Sequence, residues 1–406
     1  MIKELYTTTT KQISLNIVNT KLESVRKKNI TKVGYRVYED GYIGIAGGIG
    51  NVDMEKLEQE AISNLDLKVP YEESVSKEMT IHRDRREIEF DEVDFICEVE
   101  KFLEILRQRY PHFTFSNKIN MEETYVSLNN NCELDLSDRD TTIQVALIAR
   151  EEKSINVFDT FFIHVARQWD IEEILKEADK IFGCYRTEVD LPKEGKMPII
   201  LDPGMIESKL REELNGESVG RGSSLFKDFI GEQKFSEKFT YGQDMEVESW
   251  HVPFFDAEGV VNDGYRYELI KEGKILTPYT DKKTARTYGY PLTGSSECPY
   301  DGTPTLSMPS TTIQSTGKSL KELLGGEMGI IVVIASGGDY TPEGNLGSPV
   351  QHGILADGEK MYGRLPLINI SGNIYDIFGK DYRGCTTDQV LSGKRAVVID
   401  MNVSLG

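Results

Sequence analysis

Histidine is scarce in this 406-residue chain, and its five copies never fall into a metal-binding pattern. His82, His112, His164, His251 and His352 form no HxH, HxxxH or HExxH pair, so no spacing points to a zinc site built on imidazoles. His164 sits in a strand pattern and is expected as a packed residue. His251 and His352 share the C-terminal half with Cys385 and could approach it in space. Cysteine is as thin. Cys97, Cys132, Cys184, Cys298 and Cys385 are odd in number, scattered and without a CxxC pair, which speaks against a disulfide framework and for a reducing compartment. No stretch reaches about eighteen apolar residues, and the opening MIKELYTTTTKQISLNI lacks the apolar core of a secretory signal. The expectation is a cytoplasmic chain with no membrane span. Positive charge is also in deficit, with 47 Lys and Arg against 67 Asp and Glu and a formal net charge of -20. Such a surface repels phosphate backbones, so no direct nucleic-acid binding is expected. Gly220-Arg221-Gly222 lacks the lysine and spacing of a phosphate loop, and no Ser-His-Asp order is legible around 336–338 or 344–349.

What is present reads as α+β. Ile13, Leu15 and Ile17 alternate with polar residues, and VGYRVYEDGYIGIAGG at 33–48 is two strands joined by Asp40-Gly41, a dipeptide suited to a tight hairpin. A helix is predicted near 53–66 with Asp53 as its cap, and residues 67–90 read as a polar loop or edge segment. Phe95, Ile96, Val99, Phe102, Leu103 and Leu106 mark a helix over 91–110, ended by Pro111. Residues 113–166 read as strands, with Ile143, Val145, Leu147 and Ala149 in strict alternation and a further strand starting at 155–157. Asp170 and Glu173 open another helix. LPKEGK at 191–196 reads as a linker, which gives an N-terminal α/β domain over 1–190 with a mainly antiparallel sheet, and a β-rich domain over 191–406.

The second domain opens on a strand–helix–loop unit, MPIILDPGMIESKLREELNGESVGRGSS. Met197–Leu201 is a short buried strand, and Asp202-Pro203 starts a helix. Ile206, Leu210 and Leu214 form its apolar stripe, before Asn215-Gly216 and a small-residue loop. GIIVVIASG at 329–337 is the most apolar strand of the chain.

Several of these stretches, in this order, resemble the TldD/PmbA family. They are the hairpin Gly34-Tyr35-Arg36-Val37-Tyr38-Glu39-Asp40-Gly41, GESVGRGSSLFKDFIGE (216–232), FDAEGV (255–260), YELIKEGKIL (267–276), YGYPLTGSS (288–296), GKSLKELL (317–324) and GILADGEKMYGRLPLINISGNIYDIF (353–378). The likeness spans nearly the whole chain. It implies a C-terminal domain whose strands curl into a barrel-like sheet. It also implies cytosolic proteins first described as modulators of DNA gyrase, active in maturation of a peptide antibiotic and in antitoxin turnover. The active TldD type resembles a zinc metallopeptidase with an HExxxH helix and a third-ligand cysteine near the C-terminus. The PmbA (TldE) type lacks HExxxH and pairs with it.

Anchored on GESVGRGSS, the family's HExxxH falls on Glu207-Ser208-Lys209-Leu210-Arg211-Glu212. Both histidine positions hold glutamate and the general-base position holds serine. Cys385 lies near the position of the family's ligand cysteine. A zinc hydrolase needs imidazole or thiolate ligands, an open position for water and a base; no metal or other cofactor is expected here. Glu207 and Glu212 could bind a harder cation, but residues five apart sit about 140° apart on a regular helix. Glu207 with Arg211, and Lys209 with Glu213, read instead as solvent-facing ion pairs.

Three readings follow. The first is a non-catalytic, peptide-binding subunit that pairs with a TldD-like partner or with itself, with Gly220, Arg221, Gly222, Asp256 and Glu258 lining a cleft for a peptide or unfolded protein. The competing reading of those glycines is tight turns alone. The second is an active metallopeptidase with non-standard ligands. The third is a regulator of DNA gyrase or of a toxin–antitoxin protein.

Overall fold

The computed structural model describes residues 1–87, 91–246, 251–308 and 310–406. Its N-terminal part is one mainly antiparallel sheet made from unusually long strands: β1 (Ile2–Val18), β2 (Lys21–Glu39), β3 (Tyr42–Ile49), β4 (Val69–Pro70), β5 (Met79–Asp84), β6 (Phe113–Asn130), β7 (Leu134–Glu151) and β8 (Thr160–Ala166). They run in the order β4-β3-β2-β1-β6-β7, with β5 and β8 both on the outer side of β7, β5 parallel to it. Asp40 and Gly41 join β2 to β3 with φ of 51° and 80°, the paired positive angles that a two-residue hairpin loop requires. The helices are α1 (Met54–Ser63), α2 (Glu92–Arg109) and α3 (Ile171–Tyr185), each started by an aspartate, Asp53, Asp91 or Asp170, whose carboxylate accepts two backbone N–H groups.

The pleat gives the long strands two working faces at opposite ends. Ile13, Leu15 and Ile17 of β1 pack with α2 and α3 around Phe102 and Phe182. Glu4 and Tyr6, even-numbered on the same strand, point the other way, where Glu4 is buried and Tyr6 packs against a cluster holding Phe254 and Phe255.

The C-terminal part begins with β9 (Gly195–Leu201), α4 (Ser208–Glu213) and α5 (Gly216–Gly220). A small sheet follows, of β10 (Tyr241–Asp244), β11 (Arg266–Lys271) and β12 (Lys274–Ile275), then α6 (Lys282–Tyr288) and the short strands β13 (Ser296–Glu297), β14 (Thr305–Leu306) and β15 (Thr311–Ile313). Beyond α7 (Leu320–Leu324) come β16 (Gly329–Ala335), β17 (Asp339–Tyr340), β18 (Asn345–Ala356), β19 (Met361–Arg364), β20 (Ile368–Asn373), α8 (Ile374–Ile377), β21 (Tyr382–Leu391) and β22 (Lys394–Leu405). The pairings β16-β9-β22-β20-β18-β16 close into a ring, the barrel expected from the resemblance. Closure removes free edges.

The barrel also explains why β9, β16 and β22 read as unbroken apolar runs. Ile199, Leu201, Ile330, Val332, Val397 and Ile399 fill its interior. Their alternates Ile200, Ile331, Val333 and Val398 face outward into the core shared with α2 and α3. Strands covered on both faces lose the polar alternation.

Two local expectations change. Residues 155–157 do not start a strand: Ile155 and Val157 are exposed, and β8 begins at Thr160. Asp159 accepts from the Glu151 N–H, the Ser154 hydroxyl and the Asn156 amide, which folds the segment into a turn instead. The segment 67–90 supplies two short strands rather than a plain loop, and residues 88–90 of it lie outside the described residues. Among the described residues no helix is long and apolar enough to cross a membrane.

Candidate functional site

The helix α4 lies where the family that the sequence resembles carries its metal motif. Ile206, Leu210 and Leu214 are buried in the barrel core, and this stripe fixes how α4 is rotated. Glu207, just before the helix, is turned inward: its Oε2 accepts from the Thr311 hydroxyl at 2.9 Å, and Arg211 Nη2 lies 3.6 Å from its Oε1. Burial pushes the Glu207 carboxyl above its ordinary range. Glu212 points away, with 67 % of its side chain exposed. The two glutamates diverge, as five residues of helical rotation dictate. Ser208 is exposed on the first turn.

The ion pairs are not the solvent-facing ones expected. Glu207 is largely covered, and Lys209 and Glu213 are both buried with Nζ and Oε1 at 2.7 Å. The reason is the following loop. Glu213 accepts the Leu225 N–H on its carboxylate and the Ser224 hydroxyl on its carbonyl, so the pair clamps residues 213–225 together. Cys385, on β21, is buried, and its carbonyl takes the Ser315 and Thr316 hydroxyls. Burial pushes its thiol up to about 11, the opposite of what a thiolate ligand needs. The histidines are engaged elsewhere. His352 is hydrogen-bonded to Thr160 through Nδ1 and pushed down to about 3 by burial, His164 is buried in β8, and His251 sits beside Asp138. Among the described residues no group of three or more His, Cys, Asp or Glu side chains could hold a metal ion. Two divergent carboxylates, one of them bound to Thr311, and a protonated buried thiol do not fit zinc.

Gly220 is the last residue of α5, which Asn215 caps by accepting the Glu217 and Ser218 N–H groups, and Arg221 and Gly222 follow it. Gly220 lies against the Tyr288 ring, where a Cβ would come within 2.3 Å of it. Arg221 pairs with Glu217 at 2.9 Å on the surface, and Gly222 has φ of 74°. The loop therefore rests on the C-terminal end of α6.

Asp256 and Glu258 belong to the other end of α6. Asp256 Oδ1 accepts the N–H groups of Glu258 at 2.9 Å and Val260 at 2.8 Å, the local turn that a short carboxylate side chain makes with its own following backbone. Glu258 accepts from the Tyr71 hydroxyl and from the N–H of Lys282, the first residue of α6, both at 2.9 Å. Both carboxylates are buried. Burial, with Glu258 close by, pushes Asp256 up to about 8, and burial also raises Glu258.

Asp256 lines a cavity of about 560 Å³ between the sheet and the segment 253–307, bordered by Tyr6, Phe255, Glu297 and Cys298. Glu258 and the 220–222 loop lie outside it. Its floor is organised by Arg36, fully buried on β2. The guanidinium donates to Glu4 Oε1 at 3.0 Å, to the Ala257 carbonyl at 2.8 Å and to Cys298 Sγ at 2.6 Å. It also lies over the Tyr6 ring at 5.1 Å. Gly34, two residues earlier, leaves room for Tyr300: a Cβ there would come within 1.7 Å of the Tyr300 carbonyl oxygen. Arg36, Tyr6, Glu297 and Cys298 were not apparent as site residues from sequence. Alternation along β2 gave little signal: it sets Arg36 on the face opposite Val33, Tyr35 and Val37, where a charge ordinarily meets solvent, beside Gly34 and Tyr38.

A family profile described as "PmbA/TldA metallopeptidase C-terminal domain" matches residues 194–399. An Archaeoglobus fulgidus protein named "Metalloprotease" is 20% identical over 385 residues, covering 90% of this chain and 87% of its own. TldE from Thermococcus kodakarensis superposes with a TM-score of 0.77 at 18% identity, covering 100% of this chain and 97% of its own. A Thermotoga maritima protein named for modulation of a DNA gyrase superposes at 0.75 with 19% identity, over 99% and 96% of the two chains.

Proposed function

The chain belongs to the PmbA/TldD family, and from that membership we propose that it is a non-catalytic, peptide-binding subunit of a proteolytic system, partnered by an HExxxH-bearing relative. One observation carries the reading: the helix at the family's metal position is committed to structure. Glu207 is tied to Thr311, Lys209 to Glu213, and Cys385 is a covered thiol with a raised pKa. A water-activating zinc centre needs convergent ligands and an open position, and neither Glu207 with Glu212 nor Cys385 supplies them. The peptide would run in the cleft between the long sheet and the segment 253–307, where Asp256 lies. Purified alone, the chain should cleave no peptide. Mixed with an HExxxH relative from the same cell, it should co-elute with it and alter that relative's peptide cleavage. Failure to associate with any such relative would overturn the pairing.

A further inference from the structure

We propose that the free edge of β2 over residues 23–31 takes an extended acidic segment of another polypeptide as an added strand, with Arg26, Lys28 and Lys118 as its counter-ions. The proposal is independent of the cleft at Asp256 and of the pairing with an HExxxH relative.

Register creates the edge. β1 pairs with β2 along residues 21–38, whereas β3 pairs with it only along residues 32–39. No described strand pairs with residues 21–31 on the side away from β1. Thr31 shows which main-chain groups face that side, because its carbonyl accepts the Gly50 N–H there at 2.8 Å. These groups alternate between the two sides of a strand, so Val25, Lys27 and Asn29 turn their N–H and C=O groups outward as Thr31 does. All three residues are exposed, Val25 to 40%. A row of unpaired donors and acceptors at this spacing is what another extended chain completes.

The edge carries the opposite charge to the molecule. Residues 21–32 hold Lys21, Arg26, Lys27, Lys28 and Lys32 against Glu23 alone, in a chain of net charge -20. Arg26 and Lys28 stand opposite Ser14 and Gln12 of β1, and Lys118 of β6 stands opposite Asn16. The three cations therefore share the face turned away from α2 and α3. They border a groove of about 560 Å³ together with Gln12, Asn29 and Ile30, and no carboxylate lines it. Each is exposed, and none has an ion pair or a side-chain hydrogen bond among the described residues. The neighbouring charges are occupied. Lys27, on the other face, pairs with Glu92 at the start of α2, Glu23 accepts from the Asn16 amide at 2.9 Å, and Glu122 accepts from the Gln12 amide at 2.7 Å.

Lysines on a free edge also deter pairing between like edges, and here they exclude the same edge of a second copy. Deterrence alone favours neither sign, and the commoner charge of this chain is negative. A basic edge on an acidic molecule repels its own kind and admits acidic strands. A polyphosphate would meet the same cations, but it has no N–H groups for the free carbonyls, and the net charge opposes its approach.

The test is fluorescence anisotropy of the full chain with a labelled, acetylated decapeptide in which glutamate alternates with valine or threonine, at about 50 mM salt, where surface charges are little screened. The glutamine counterpart should bind about tenfold more weakly, from the loss of three exposed ion pairs. The glutamate peptide with alternate backbone nitrogens methylated should also lose about tenfold, from the loss of main-chain hydrogen bonds. Arg26→Glu combined with Lys28→Glu, both on the surface, should keep the wild-type melting temperature and weaken the glutamate peptide about tenfold or more. Asn29→Pro keeps every cation and removes one outward N–H at a position where an edge strand tolerates proline; it should weaken the glutamate peptide several-fold. Equal binding of the glutamate and glutamine peptides, unchanged affinity in the double variant, or equal binding of the methylated peptide would each overturn the proposal. So would an oligonucleotide of ten residues that binds more tightly than the peptide and is lost in the same double variant, or no peptide binding up to about 1 mM.

Discussion

Arg36 does the most at the scale of single residues. It is a buried cation whose partners come from three parts of the chain: Glu4 on β1, the Ala257 carbonyl and Cys298. Arg36→Met should cost about 3–5 kcal/mol in urea unfolding, because it leaves the buried Glu4 without its charge partner. A loss below 1 kcal/mol would mean that the cluster contributes little. Asp256 gives a pH prediction with a definite sign. Its folded pKa is raised to about 8 from an unfolded value of about 4, so the folded state holds the extra proton. That contribution to stability is fully present below about pH 4 and is lost as the pH rises toward 8. Glu258 shifts in the same direction. Asp256→Asn should therefore gain stability over the wild type between pH 5 and pH 9 in paired thermal melts. A constant difference across that range would contradict the shift. Sequence revealed Asp256 and Glu258 as a motif, but not that only Asp256 faces a cavity. That depends on which of the two carboxylates finds Tyr71 and the α6 N-terminus, a contact made across 187 residues.

At the scale of elements, the strand–helix–loop unit was legible down to its apolar stripe. Ile206, Leu210 and Leu214 are all buried, but the single helix expected from Asp202 is split: Asp202 caps a separate 3-10 turn, Pro203–Met205, by accepting the Gly204 N–H, the chain leaves helical angles at Ile206, and α4 begins only at Ser208. What the periodicity could not show is that Glu213 is claimed by Leu225, so Lys209 is buried rather than solvated. Pairing rules within a helix do not see the loop that folds back on it. The hairpin around Arg36 was read for its Asp40-Gly41 turn, yet its Gly34 matters for a contact 266 residues away. Gly34→Ala should destabilise the fold by about 1–3 kcal/mol through overpacking, by pushing Tyr300 off the sheet. Limited proteolysis should show faster cleavage around residues 297–302. Wild-type cleavage rates there would argue that the loop is not held by this contact.

The whole molecule behaves as one packed object more than the proposed boundary at residues 190/191 implies. Ile200, Ile331 and Val398 of the barrel share a core with Phe102 and Phe182 of the first half. Residues 191–406 expressed alone should bind a hydrophobic dye and melt without a sharp transition, since that core face would be bare. A cooperative melt with no dye binding would instead support two independent domains. Barrel closure was expected from the resemblance rather than from the residues, because closure depends on β18 returning to β16, a pairing that no local pattern encodes. The central claim is that this chain gave up the metal position and works through a partner. Native mass spectrometry of the chain mixed with its HExxxH relative tests it most directly. The account predicts a complex of both chains in which zinc stays with the relative, and a metal-free mass for this chain alone. A zinc-loaded mass for this chain alone, lost on Cys385→Ala or Glu212→Ala, would contradict it.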